Sequence, residues 1–220
     1  MKLTRKKVLW GVAVLAAAAW YFFSLPSTLF KVPYSTILVD RENNLLNASI
    51  SKDGQWRFPV REKLPAKFRE AIVMFEDKRF FSHVGVDPRA LYRATLQNID
   101  KRKVVSGGST LSMQVIRLAR GNPKRTVFNK TIEMILATRL EIRFSKDEIL
   151  SLYASHAPFG GNVVGIEAAC WRYFGRQPDE LSWAEAATLA VLPNNPSMIN
   201  LGTNRAALQK KRDRLLTRLR

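Results

Sequence analysis

Cysteine is almost missing from this chain of 220 residues. Cys170 stands alone, so no internal disulfide can form and a cysteine metal site is not expected. Acidic side chains are scarce too: 18 Asp and Glu face 36 Lys and Arg, leaving a formal charge of +18. That imbalance calls for an anionic partner, whether nucleic acid, an acidic lipid surface or a phosphorylated substrate. Repeats and low-complexity tracts are also lacking, so disorder is not expected. The length suffices for one full core with a small appendage.

What the N-terminus does hold is an unbroken apolar run, Val8 to Phe23, behind Lys2, Arg5, Lys6 and Lys7. Basic residues before an apolar span keep the N-terminus in the cytoplasm and export the chain beyond the span. The run is short for a spanning helix, which takes ~20 residues, but Ser24 and Leu25 extend it. Ala16 to Ala19 would suit cleavage of a signal peptide, the rival reading. Trp20 to Phe23 instead continue the run as an interfacial aromatic belt, which favours an uncleaved anchor. A basic domain outside the cytoplasm argues against nucleic acid as the partner. The expected organisation is a cytoplasmic tail at 1–7, an anchor at 8–25, a linker with a small β region at 26–64 and the main domain at 65–220.

Within 26–64, Thr36 to Asp40, Leu45 to Ile50 and Gln55 to Val60 read as short strands. Asn43–Asn44 and Asp53–Gly54 supply turns between them, so a three-stranded meander is expected. From Pro65 onward the pattern is helical, with Phe68, Ala71, Ile72 and Phe75 at core spacing. Asp87–Pro88 caps and starts a helix running to about Asn98. Leu111 to Ala119 and Val127 to Phe144 are two more. Ser145 with Glu148 and Ser182 with Glu185 are capping boxes for helices to about Ala154 and Val191. Gly160, Gly161 and Gly165 mark a flexible loop before a helix from Ile166 to Tyr173. Pro193 and Pro196 end the helical hairpin, and Arg205 to Arg220 forms a basic last helix. The fold class is therefore mainly α with a β appendage near the membrane.

Two places carry chemistry. Glu76 and Asp77 close the first helix of the main domain, where the helix dipole disfavours acids and Phe75, Phe80 and Phe81 supply apolar bulk. Desolvation there would raise a carboxyl pKa and suit it to accept a proton; a frayed, solvated helix end is the plainer alternative. Further on, Gly107–Gly108 leads into Ser109 and Thr110, either of which can cap the next helix. Its free N–H groups would form an anion site, crowded by Arg117, Arg120, Lys124, Arg125 and Lys130. Lys130 and Glu133, three apart, would share a helix face.

The segment Glu76-Asp77-Lys78-Arg79-Phe80-Phe81-Ser82-His83-Val84-Gly85 resembles the first motif of family 51 glycosyltransferases, the peptidoglycan glycosyltransferase domains of penicillin-binding proteins and monofunctional transglycosylases. Gly107 to Gln114 resembles the second motif, Lys130 with Glu133 the third, Ile149 to Tyr153 with Phe159–Gly160 the fourth, and Ala186 to Pro196 the fifth. Order and spacing agree over about Pro65 to Asn200. WRFPV at Trp56 to Val60 and APFGG at Ala157 to Gly161 are similar to the penicillin-binding protein 1C branch. Two departures stand out: Asn129 where the family usually has Arg, and Ala154–Ser155 where it usually has Leu-Asn.

The resemblance implies a lysozyme-like helical fold with a smaller membrane-proximal jaw, and the polymerisation of lipid II with release of polyprenyl pyrophosphate. It implies Glu76 as general base, with Glu133 as the second catalytic acid, positioning a cation or a divalent metal. Asp77, Arg79, Phe80, Gly108, Ser109, Thr110, Gln114, Arg117, Arg125 and Lys130 are then the substrate-binding residues. No obligatory cofactor is implied, with Mg2+ or Mn2+ at the diphosphate as an optional addition and Glu133 its only candidate ligand. The implied partners are lipid II, the growing glycan, the bacterial inner membrane and other wall-synthesis proteins, with no nucleic acid. His83 fits the motif as a structural residue, His156 as a loop residue and Cys170 as core. If the missing Arg helps hold the diphosphate, Asn129→Arg raises turnover while Ser155→Asn changes it little. A lysozyme-like hydrolase and an inactive scaffold are the competing classes.

Overall fold

The structure is a computed structural model that describes residues 5–42, 44–60, 63–103, 107–194 and 204–220. Lys2, Asn43, Pro196 and Asn200, which carry parts of the sequence reading, lie outside them. Helix α1 (Arg5–Phe23) has 19 residues, or about 28 Å at 1.5 Å per residue, long and apolar enough to cross a membrane. It buries nothing along its length. Its C-terminal end docks on α5 (Val127–Arg143): Tyr21 Oη lies 3.0 Å from Thr138 Oγ1, and Arg139 donates to the Phe22 carbonyl. Arg143 binds the Pro26 and Ser27 carbonyls just beyond. The last turn of the apolar helix is thus fixed to a helix of the main domain.

The core is helical. Helix α2 (Ala66–Glu76) turns Phe68, Ala71 and Ile72 inward and packs against α8 (Trp183–Val191) and α9 (Arg205–Leu219). Helix α4 (Leu111–Ala119) packs against α5 and α6 (Lys146–His156). Residues 186–191 of α8 are all buried, which makes it the central rod of the bundle. Both expected capping boxes form, Ser145 with Glu148 and Ser182 with Glu185, and each satisfies N–H groups that a helix start would otherwise leave open. Asp87 caps α3 (Pro88–Asp100) as its sequence suggests, accepting from Arg89 and Ala90 N–H at 3.0 and 3.1 Å.

The expected three-stranded meander does not form. Strands β1 (Thr36–Val39) and β2 (Leu45–Ser49) pair antiparallel as a separate hairpin. Strand β3 (Trp56–Arg57) leaves them and runs parallel to β5 (Val163–Val164), which also pairs with β4 (Pro158–Gly160). The glycines read as a flexible loop therefore shape a hairpin. Apolar packing directs the exchange: Trp56 and Phe58 lie beside Trp171 of α7 (Ile166–Phe174), at 5.5 and 5.7 Å between ring centroids. Turn signals are local, whereas that aromatic cluster joins residues more than 100 apart.

His156, expected in a loop, is instead the last residue of α6 and is buried. Its ring stacks on Phe30 with centroids 3.6 Å apart, which binds the segment after the anchor to the core. Cys170 is buried on α7, as expected.

Candidate active site

A cavity of about 750 Å³ opens where the C-terminal end of α2 meets the N-terminal ends of α3 and α4. Glu76 is the last residue of α2 and Asp77 its C-cap. The two neighbours have opposite surroundings. Glu76 Oε2 accepts from Gln114 Nε2 at 2.8 Å, while its Oε1 is buried with no hydrogen-bond partner. Burial pushes the Glu76 carboxyl above its ordinary range. Hydrogen bonds from Gln114 and Asn194 and the charge of Lys211 pull it back, but less. Lys211 is held there by donating to Asn194 Oδ1 at 3.0 Å.

Asp77 is fully engaged. His83 Nε2 lies 3.0 and 3.1 Å from its two oxygens, and Leu111 N–H donates to Oδ2 at 3.1 Å. That last bond adds to the sequence reading of the α4 start: one N–H of this helix N-terminus is taken by the chain's own carboxylate, from 34 residues earlier. Thr110 is the N-cap: its Oγ1 accepts from Met113 N–H at 3.2 Å and donates to the Gly85 carbonyl. Ser109 and Gly108 line the cavity beside it. Gly108 has φ +51°, and a Cβ there would come within 3.1 Å of Ala90 O, so α3 and the α4 start meet closely only because this residue is glycine.

The cationic wall comes from α4 and α5. Arg117 grips Glu133 with two bonds, Nε to Oε1 at 2.9 Å and Nη2 to Oε2 at 2.8 Å. Both partners are largely buried, and the carboxylate keeps the guanidinium charged and fixed. Lys130 donates to the Gly107 carbonyl at the cavity's rim. Burial, and then the charge of Arg117, lowers its pKa. Arg125 lies exposed on the same wall. Glu133 therefore positions a cation, as one branch of the sequence reading has it. As a metal ligand it does not fit: both oxygens are taken by Arg117, and the described residues hold no group of three His, Cys, Asp or Glu to complete a site.

Two other sequence candidates are engaged by the protein's own groups. Phe80, expected to touch substrate, is fully buried. A 3-10 turn at Phe80–Ser82 directs its ring to the core, where Lys146 lies over it at 4.3 Å. Arg79 lines the cavity but is bonded to the buried Asp87 through Nε at 3.0 Å and through Nη2. The sequence reading missed Arg93, Arg218 and Lys78, which also line the cavity, and Asn194 and Lys211 beside Glu76. Arg93 lies three residues after Ala90 on the α3 face that Asp87 begins, a spacing that was available. Nothing local marks Lys211, which is 135 positions from Glu76.

The transglycosylase family model matches residues 42–220. Penicillin-binding protein 1C of Escherichia coli (strain K12) is 40% identical over 208 residues, covering 94% of this chain and 27% of that protein. Penicillin-binding protein 1F of Bacillus subtilis (strain 168) is 30% identical over 227 residues, 98% of this chain and 32% of that protein. A crystal structure of penicillin-binding protein 1A from Haemophilus influenzae aligns over 87% of this chain and 19% of its own, with 19% identity and a TM-score of 0.44. The chain thus spans about a third or less of the length of the curated relatives it matches. The matched span includes Glu76, Gln114, Arg117 and Glu133, the groups that form the cavity's acid and its fixed cation, and the chain belongs to the transglycosylase family.

Proposed function

We propose that the chain is a membrane-anchored peptidoglycan glycosyltransferase that polymerises lipid II into β-1,4-linked glycan. The 4-hydroxyl of a bound GlcNAc attacks the anomeric carbon of a lipid-linked muramyl sugar. The hydroxyl proton passes to Glu76, the C–O bond to the diphosphate breaks with inversion, and polyprenyl pyrophosphate leaves. The observation that carries this reading is the pairing of unlike groups in one cavity. Glu76 has a buried, unpartnered oxygen and a raised pKa, as a base working near neutrality needs. Arg117, fixed by Glu133, faces it as a preorganised cation for the departing diphosphate, with Arg125 and Lys130 beside it.

A leaving group held by cations needs no strong proton donor. A divalent ion, where one takes part, would arrive with the diphosphate, because Glu133 has no free oxygen for it. In this reading α1 spans the bacterial inner membrane, the basic tail stays inside and the cavity faces outward. Other wall-synthesis proteins are its expected partners. Detergent-solubilised protein given labelled lipid II tests the reaction. Glycan polymer supports it; cleaved glycan would show a hydrolase, and lipid II recovered unchanged would show a scaffold.

A further inference from the structure

A second cavity, about 240 Å³, lies against the seam of α2 and α9. It shares Met74, Lys78 and Arg218 with the wall of the catalytic cavity, so the two adjoin. Its charged walls are Arg69, Lys78 and Arg218 against a single acid, Glu70, and Met74 and Phe81 form an apolar floor. Phe81 is 51% exposed, unlike its neighbour Phe80. Arg69 is committed to Asp147 at 2.8 Å and lies over the Phe81 ring at 4.7 Å. Lys78 and Arg218 make no ion pair with a described residue. Two unpaired cations on one cavity wall repel each other until an anion arrives.

Position narrows what that anion is. Arg218 follows Lys211 by seven residues, so both lie on one face of α9, about 10 Å apart along the helix. Lys211 marks the Glu76 end. The groove is lined from α2, the turn after it and α9, and not from the α4–α5 wall where the diphosphate cations are. On the substrate of the proposed reaction, the muramyl ring that reacts also carries a peptide with free carboxylates. We infer that this side groove takes that carboxylate-bearing peptide branch, with Lys78 and Arg218 as its anion-binding pair and Phe81 and Met74 under its aliphatic part. This deepens the proposed function and rests on it.

The test compares lipid II bearing free peptide carboxylates with the same molecule amidated at those carboxylates, using the full chain in detergent. KM for the free form is expected to be about two- to fivefold lower per cation engaged, with the preference shrinking as salt is added. Lys78→Glu and Arg218→Glu should reverse the preference, and Arg218→Lys should keep it. Both positions are exposed, and thermal unfolding checks that the variants fold. Equal KM for the two forms in the wild-type protein, or an unchanged ratio in the Glu variants, overturns the groove. The same ratio taken from equilibrium binding reads the groove without turnover. Absence of polymer from both substrates would count against the proposed reaction, while a lost binding preference would count against the groove alone.

Discussion

Glu76 and Glu133 are both carboxylates with oxygens withdrawn from water, in the same cavity region, yet their surroundings differ in kind. Glu133, on α5, gives both oxygens to the Arg117 guanidinium and so fixes a cation. Glu76, at the end of α2, keeps one oxygen without a partner, and burial shifts it toward the neutral form. The difference teaches that burial alone assigns no role to an acid. A buried carboxylate with a full set of donors is structure, whereas one left partly unsatisfied is free to take a proton. Asp77, one residue away from Glu76 and fully bonded, falls on the structural side.

The largest expected effect comes from removing the unsatisfied acid. Glu76→Gln should lower polymerisation by at least about a hundredfold, since an amide keeps the shape but cannot accept the proton. Retention of more than a few per cent of turnover would exclude Glu76 as the base. For the wild type, the acid limb of the kcat/KM profile should lie above the ordinary glutamate value of about 4.3, because the folded pKa is raised. The same shift has a sign for stability. A carboxyl whose pKa is higher folded than unfolded stabilises the fold fully below the unfolded pKa, and this stabilisation is lost as pH rises through the folded pKa. Glu76→Gln is therefore expected to unfold at the same temperature as wild type in acid, and at an equal or higher one at neutral pH.

Breaking the satisfied acid should act differently. Glu133→Ala leaves a buried guanidinium unpaired and should cost about 3–5 kcal/mol of stability, with turnover falling as Arg117 loses its fixed position. Arg117→Ala should do similar harm, and the double variant should cost much less than the sum of the two, as measured by denaturant unfolding. Additive losses would mean that the two residues act separately, and the contrast with Glu76 would weaken.

Much of this was legible in the sequence, and the divide follows the distance between interacting residues. Asp87–Pro88, Ser145 with Glu148 and Ser182 with Glu185 declare their helices because each bond closes within a few residues. Glu76 is legible as an odd acid at a helix end. The bond from the α4 start to Asp77 spans 34 residues, and no local pattern in Gly107–Thr110 announces it. Phe80 sits one 3-10 turn from the cavity, and no apolar period distinguishes its inward ring from the outward Phe81. The partner strand of β3, and the acid that Lys211 faces, come from more than 100 positions away, through packing that only the assembled core defines.

Ser155 tests how tightly that assembled core is closed. The sequence reading expects Ser155→Asn to change turnover little; its stability is a separate matter, because Ser155 is buried, its hydroxyl has no hydrogen-bond partner, and a Cβ on Gly165 would come within 2.6 Å of its carbonyl oxygen. A larger amide would have to fit into this buried position and would add a polar atom where the hydroxyl already lacks a partner. We expect a loss of about 1–3 kcal/mol in stability from overpacking, seen as a lower melting temperature, with turnover per folded molecule little changed. An unchanged melting temperature would show that the α6 end can give way.

The smallest effect is expected at Asn129, and here the structure turns the sequence expectation around. Residue 129 lies in the first turn of α5, where its own N–H is donated to the Thr126 cap at 3.1 Å. Its side chain accepts from Arg120 at 3.3 Å and donates to the Lys124 carbonyl at 2.9 Å. The guanidinium beside this position is therefore supplied by Arg120 at the end of α4, and Asn129 holds it. An arginine at 129 would lose that acceptor, face Arg120 as a like charge, and place a cation at a helix N-terminus, which is unfavourable by about 0.3–1 kcal/mol. Asn129→Arg is accordingly expected to leave the initial polymerisation rate unchanged or lower it by a factor of up to about five at saturating lipid II. Arg120→Ala, which removes the cation itself, should lower the rate by more. A several-fold increase for Asn129→Arg would mean that Arg120 does not stand in for the missing arginine, and that the fixed cations of the α4–α5 wall are one too few.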